Sequence, residues 1–244
     1  MPQAAYRKRL VLFASLIIMA LSLIVSGCSA KPAEKAEIDT VFKAINRLCE
    51  AKTLKAEGTF DITTFGKGDI ELWIDNDNQF EFAVQSLPAE DSGFGLYLKD
   101  GKTYLNYYGT KTASVAENIG IDSDEPMKFY NPLLDLSAEE REEIFPSVTK
   151  DGNTYTLEVD KNKLAQLLDY FGSVGVKQAA LTVTLDEKAP EIVRSIRFAA
   201  DIRSALLPGN NIKLNISLKD IEINEKLDIP WPSDLDSYKT SDED

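Results

Sequence analysis

The chain contains no histidine. That absence removes Ser–His and Cys–His nucleophile pairs, imidazole acid–base steps and histidine metal ligands together. Cysteine is scarce as well, with Cys28 and Cys49 the only two in 244 residues. Basic charge is also short: 27 Lys and Arg stand against 40 Asp and Glu, a net charge of −13. Phosphate binding needs a basic footprint, so nucleic acid is excluded as a natural partner.

What basic charge there is begins with Arg7, Lys8 and Arg9, with no acid near them. Leu10 to Val25 follows as an apolar run of 16 residues, and Ser26 and Gly27 lead directly into Cys28. A basic cluster, an apolar stretch and a small-residue end make an export signal. A retained anchor is the alternative, although the run is shorter than the ~20 residues that span a bilayer comfortably. The cysteine decides between them. Val25-Ser26-Gly27-Cys28 resembles the bacterial lipobox, which implies diacylglyceryl transfer to the Cys28 thiol and cleavage between Gly27 and Cys28. Stable anchoring takes two or more acyl chains, and a diacylglyceryl group meets that requirement. The protein is therefore expected to be exported and held at the outer face of the plasma membrane, or at the outer membrane in a Gram-negative cell.

Removing residues 1–27 leaves 217 residues and takes away three basic and no acidic side chains, so the mature net charge is −16. An anionic membrane surface repels such a body, and the lipid must hold it there. Residues 28–33 form the lipidated tether, whose reach is at most ~20 Å. Once Cys28 is acylated, Cys49 has no partner for a disulfide. It lies on the apolar stripe of a predicted helix and reads as a buried, inert thiol.

That helix runs from about Ala33 to Ala51, with Ile38, Val41, Phe42, Ile45, Leu48 and Cys49 on one face. From Leu54 the period switches to two. Phe60 and Ile62, then Ile70, Leu72 and Ile74, then Phe80, Phe82 and Val84, then Phe94, Leu96 and Leu98 alternate with polar residues. Thr103 to Tyr108 follows after the hairpin turn Asp100-Gly101. The segment from Lys111 to Pro146 carries few strand signals, but Ser137 and Glu140 form a capping box for a short helix ended by Pro146. Tyr155, Leu157 and Val159 come next, and Asp160 can cap a third helix with the face Leu164, Leu167, Leu168 and Phe171. Three long strands close the domain. Their inward residues are Leu181, Val183 and Leu185, then Ile192, Ile196, Phe198, Ala200 and Ile202, then Ile212, Leu214, Ile216 and Leu218. The phase slips by one at Ile221 and Ile223, which predicts a bulge. Residues 234–244 read as an acidic, disordered tail.

At least eight strands with one apolar side each fit either a two-sheet sandwich or one strongly curved sheet. Few helices, tight hairpins and long strands favour the second: an α+β fold, with a strongly curved antiparallel half-barrel over residues 34–233 wrapped over a few helices.

Several local patterns then resemble a family. An anchored N-terminal helix leads into Leu54-Lys55-Ala56-Glu57-Gly58-Thr59-Phe60. Hairpin strands follow with Asp100-Gly101-Lys102-Thr103-Tyr104-Leu105, a late helix precedes the last long strands, and the chain closes on Ile229-Pro230-Trp231-Pro232. This order resembles the LolA/LppX-like superfamily of bacterial lipoprotein and lipid carriers. The resemblance implies a half-open barrel plugged by helices over an apolar cavity. The chain departs from LolA, a soluble shuttle, in carrying a lipobox, and is similar in this to anchored relatives of Gram-positive and mycobacterial cells. The implied lining of a lipid-binding cavity is Phe60, Ile62, Leu72, Phe82, Leu96, Leu181, Val183, Phe198 and Leu214, binding by burial alone. The same residues suit an ordinary filled core, and alternation does not separate the two.

Other candidates read as structure. Asp75-Asn76-Asp77-Asn78-Gln79 lacks the Gly and Glu of a calcium loop, having Phe80 and Ser86 at those positions. Glu139, Glu140, Glu142 and Glu143 suit the first turns of a solvated helix. Tyr97, Tyr104, Tyr107 and Tyr108, near Trp73, read first as cross-strand packing and second as an aromatic ligand site. The expectation is a monomeric binding protein without metal, cofactor or catalytic step. Its partners are the membrane, through Cys28, and a lipid or lipoprotein cargo. The alternative is a structural or sensory envelope lipoprotein with a filled core.

Overall fold

The computed structural model describes residues 35–63, 66–77, 80–87, 93–115, 136–168, 174–204 and 211–240. The export signal, Cys28, the tether, Phe171, the turn at residues 208–210 and the last four residues lie outside them.

Period-two alternation builds hairpin after hairpin. Strands β1 (Thr53–Ile62), β2 (Gly66–Asp75), β3 (Glu81–Leu87), β4 (Phe94–Lys99), β5 (Lys102–Tyr107) and β6 (Thr110–Val115) form one antiparallel meander. Strands β7 (Ser147–Asp151), β8 (Thr154–Glu158), β9 (Val174–Leu185), β10 (Val193–Ser204) and β11 (Asn211–Ile223) form another. The two meet where β1 pairs antiparallel with β11, and β12 (Lys239–Thr240) adds in parallel to the β6 edge. The result is a single twelve-stranded, curved and unclosed sheet in the order β12-β6-β5-β4-β3-β2-β1-β11-β10-β9-β8-β7.

The turn chemistry explains the register. Asp100 and Gly101 hold φ of 51° and 70°, the left-handed pair that a two-residue hairpin with the strands' own twist requires. The bulge at the end of β11 is present. Lys55 pairs with Glu222 but Glu57 with Lys219, and Asp220 takes φ 50° between them. β10 carries another bulge, between Val193 and Ser195, that the apolar alternation does not predict. It puts Val193 on the inner face and leaves Ile192 in the preceding turn, where it was expected inside. At the other end of the sheet, Asp75 caps the β2–β3 turn by accepting from the Asp77 N–H at 2.8 Å, while Lys52 pairs with Asp77.

Three helices lie among the described residues. In α1 (Lys35–Cys49), Ile38, Val41, Phe42, Ile45 and Cys49 are buried as the stripe predicted, and Leu48 is partly buried. This helix packs on β9, β10 and α2 (Ala138–Ile144), with the Phe42 and Phe145 ring centroids 5.3 Å apart. The capping box of α2 is formed: Glu140 N–H donates to Ser137 Oγ and Ser137 N–H to Glu140 Oε2. Asp160 caps α3 (Lys161–Leu168) by accepting from the N–H groups of Asn162 and Lys163, and α3 packs on β9.

Two expectations fail at the ends. Residues 110–115 form β6 although Thr-Lys-Thr-Ala-Ser-Val shows no apolar alternation, because an edge strand in this position buries only Ala113. The segment from Asp234 is not a disordered tail up to Thr240. It makes a turn of 3-10 helix at Leu235–Ser237 and then β12, held because Tyr238 is buried and Lys111 reaches Asp234 at 2.7 Å.

Candidate functional site

The inward faces of neighbouring strands fall into register and form continuous apolar rows. One runs Val148, Leu157, Leu181, Phe198, Ile216, Phe60 across β7, β8, β9, β10, β11 and β1. The next runs Tyr155, Val183, Ile196, Leu218, Gly58, Ile70. On the other half, Leu105, Leu96, Val84, Leu72 and Ala56 lie directly opposite one another, and so do Leu98, Phe82, Ile74 and Leu54. None of the residues in these rows is charged, but the second row continues onto Lys150 of β7, whose ammonium lies 5.0 Å from the centre of the Tyr155 ring. Together with the buried faces of α1, α2 and α3 they form one apolar cluster.

All nine residues expected on a cavity wall belong to this cluster. Ile62, Leu72, Phe82, Leu96, Leu181, Val183, Phe198 and Leu214 are buried, and Phe60 is partly buried against them. Gly58 is required at the centre of its row. A Cβ there would lie 2.3 Å from the Ser217 carbonyl oxygen and 2.9 Å from Leu218 Cδ2. The arrangement holds apolar side chains on a wide curved surface.

The acidic cluster on α2 is occupied with structure. Glu140 closes the capping box, and hydrogen bonds from Ser137 hold its carboxyl below the usual carboxylate range. Glu143 pairs with Lys163 of α3. Among the described residues, no group of three or more His, Cys, Asp or Glu could hold a metal ion.

The aromatic candidates divide between the two faces. Trp73, Ala83, Tyr97, Tyr104 and Ala113 form a row straight across β2 to β6 on the outer face. Tyr107 packs on the inner cluster, and Tyr108 is exposed at the turn with φ 49°. Alternation alone assigns the outer row to solvent, yet Trp73 and Tyr97 are buried. The chain after β11 covers them. Ile229, Trp231, Leu227 and Leu235 close a second, smaller core over Trp73, Ala83, Tyr97 and Tyr104. Trp231 meets the Tyr97 ring edge-on at 6.5 Å, and Tyr238 meets Tyr104 at 5.7 Å. Burial, and then the Asp234 charge, push the Tyr97 phenol up to about 12. Ile229-Pro230-Trp231-Pro232 was the visible trace of this strap; its docking place was not visible.

A single curved, unclosed sheet with helices packed on one face is a half-open barrel. More particularly, the chain has the LolA/LppX-like fold. The lipoprotein LppX of Mycobacterium tuberculosis superposes with a TM-score of 0.50 at 7% identity, covering 81% of this chain and 100% of that one. LprF of Mycobacterium bovis gives 0.46 at 9% identity over 83% of this chain and 99% of LprF. A LolA superfamily protein of Nitrosomonas europaea gives 0.32 at 10% identity over 84% and 99%. No family model and no curated protein matches the sequence.

Proposed function

We propose that this protein is a cell-envelope lipoprotein, anchored through an acylated Cys28, whose concave sheet face binds the acyl chains of a lipid or lipidated molecule. The observation that carries the reading is the set of apolar rows on one curved face, running from β7 to β1 on one half and from β5 to β1 on the other, with Lys150 at the β7 edge the charge beside them. Such a surface has no use for a polar substrate and suits hydrocarbon. The fold it shares with LppX, itself a lipoprotein, supports the export and anchoring read from residues 1–28.

The magnitudes are adequate. Each buried methylene contributes about 0.8 kcal/mol, so a chain of about 16 carbons gains on the order of 12 kcal/mol. Association costs at least about 4 kcal/mol of that, which leaves at most roughly micromolar affinity from burial alone. No headgroup contact is needed for capture, and no catalytic step follows it. A tether of residues 28–33 confines the protein to capture or handover at one membrane.

The test is native mass spectrometry of the chain starting at Ser29, purified without detergent. Acyl-chain adducts, or uptake of an added fatty acid, are the expected result. A clean apo mass with no uptake would instead favour a structural or sensory lipoprotein with a filled core. Anchoring is tested separately: radiolabelled palmitate should label the full chain and fail to label Cys28→Ala.

A further inference from the structure

The two halves of the sheet are braced from opposite sides. Strands β9 and β10 carry the main helix contacts, on the concave face. Strands β2 to β6 carry the strap of residues 224–240 on the convex face. We propose that this strap is a latch, rooted at the middle of the sheet and closed at its free edge, that fixes the curl of the β2–β6 wing and so sets how far the concave face can open.

The root is built rigidly. Asn224 takes φ 59°, a left-handed conformation that asparagine tolerates better than most residues. Its N–H donates to the Thr53 carbonyl at 2.9 Å, and its Oδ1 accepts from the Lys52 N–H at 2.9 Å. The Thr53 hydroxyl then donates to the Glu225 carbonyl at 2.7 Å. These bonds aim the chain away from β11 and onto the outer face. From there the strap touches successive strands. Ile229 joins the Trp73 and Ala83 cluster, Trp231 packs on Tyr97 with the Lys99 ammonium 5.3 Å from its ring, and Tyr238 packs on Tyr104.

The far end is held at the edge strand. Among the described residues, β12 pairs with β6 through Lys239 with Thr112 and Thr240 with Ala113. Lys111 completes the closure. Its ammonium lies 2.7 Å from the Asp234 carboxylate and 5.9 Å from the centre of the Tyr238 ring. With the Lys111 side chain largely buried, the ion pair and the cation–ring contact are each worth about 1–2 kcal/mol. Removing the Lys111 ammonium therefore loosens the strap at its tip, next to the edge strand. While it is closed, the five strands β2 to β6 cannot change their mutual twist without breaking the outer-face aromatic contacts or the β12–β6 pairing. The importance of that restraint for ligand access rests on the acyl-binding reading; the restraint itself does not.

Both tryptophans of the chain, Trp73 and Trp231, lie in this interface, so intrinsic fluorescence reports the latch directly. Lys111→Met should red-shift the emission and raise amide exchange in peptides covering residues 94–115 and 229–240 by about tenfold, with residues 176–202 unchanged. If the variant fails to fold, Asp234→Asn is read in the same way. Exchange that rises in the strap but not in residues 94–115 would overturn the bracing role. Emission and exchange unchanged throughout would overturn the latch. Neither readout needs a ligand, so a failure of acyl binding and a failure of the latch are told apart.

Discussion

The Tyr97 ring lies across Gly95, two residues before it on β4, so closely that a Cβ on Gly95 would meet the phenolic oxygen at 2.4 Å. The same hydroxyl donates to Gln85 Oε1 at 3.2 Å on the neighbouring strand. Glycine is therefore needed there for space. Gly95→Ala is expected to destabilise the fold by about 1–3 kcal/mol through overpacking. Gly58→Ala should cost more than Gly95→Ala, because its clash is with the backbone oxygen of Ser217, which cannot swing aside. Urea unfolding of the two variants measures the order.

Tyr97 also gives a pH signature. Burial favours its neutral phenol and moves it from 10.0 up to about 12. A raised value means that its stabilisation is complete below about pH 10 and is lost as the pH rises through about 12. In a phenolate absorbance titration Tyr97 should titrate late, and Tyr97→Phe should remove that late step. The same variant leaves Gln85 Oε1 without its donor in a buried position, at a cost of about 1 kcal/mol.

The strap's root makes a second kind of prediction. Asn224→Ala loses a hydrogen bond to Lys52 and places a Cβ residue less suited to a left-handed conformation at φ 59°. A loss of about 1–2 kcal/mol is expected. Asn224→Gly keeps the backbone freedom and should lose less. Tryptophan emission should shift with the loss, because the root aims the segment that carries Trp231.

Ser137→Ala opens the capping box of α2 and should cost about 1 kcal/mol, seen as faster amide exchange over residues 138–144. Glu140 has its carboxyl lowered by bonds from Ser137. Its contribution is therefore present above the ordinary carboxylate range and is lost as the pH falls through the lowered value. In Ser137→Ala this acid sensitivity of α2 should diminish.

Much of the fold was legible because local chemistry and long-range pairing agree. Asp100-Gly101 specified its hairpin, the phase slip before Ile221 gave the bulge at Asp220, and Ser137 and Asp160 marked their helices. The nine inward residues were legible because one-face burial has a period of two. The outer aromatic row was not. Trp73 and Tyr97 occupy positions that alternation gives to water, and only a distant segment covers them. The edge strands escaped for a related reason: β6 and β12 owe their place to partners, having almost no apolar residues to pattern.

The central claim is that the concave face takes acyl chains, and photo-crosslinking with a diazirine-bearing fatty acid tests it most directly. On the chain starting at Ser29, adducts should map to Leu72, Phe82, Leu96, Leu181, Phe198 and Leu214 and be competed away by unlabelled fatty acid. Adducts confined to the outer face, or none above those on unfolded protein, would contradict the account.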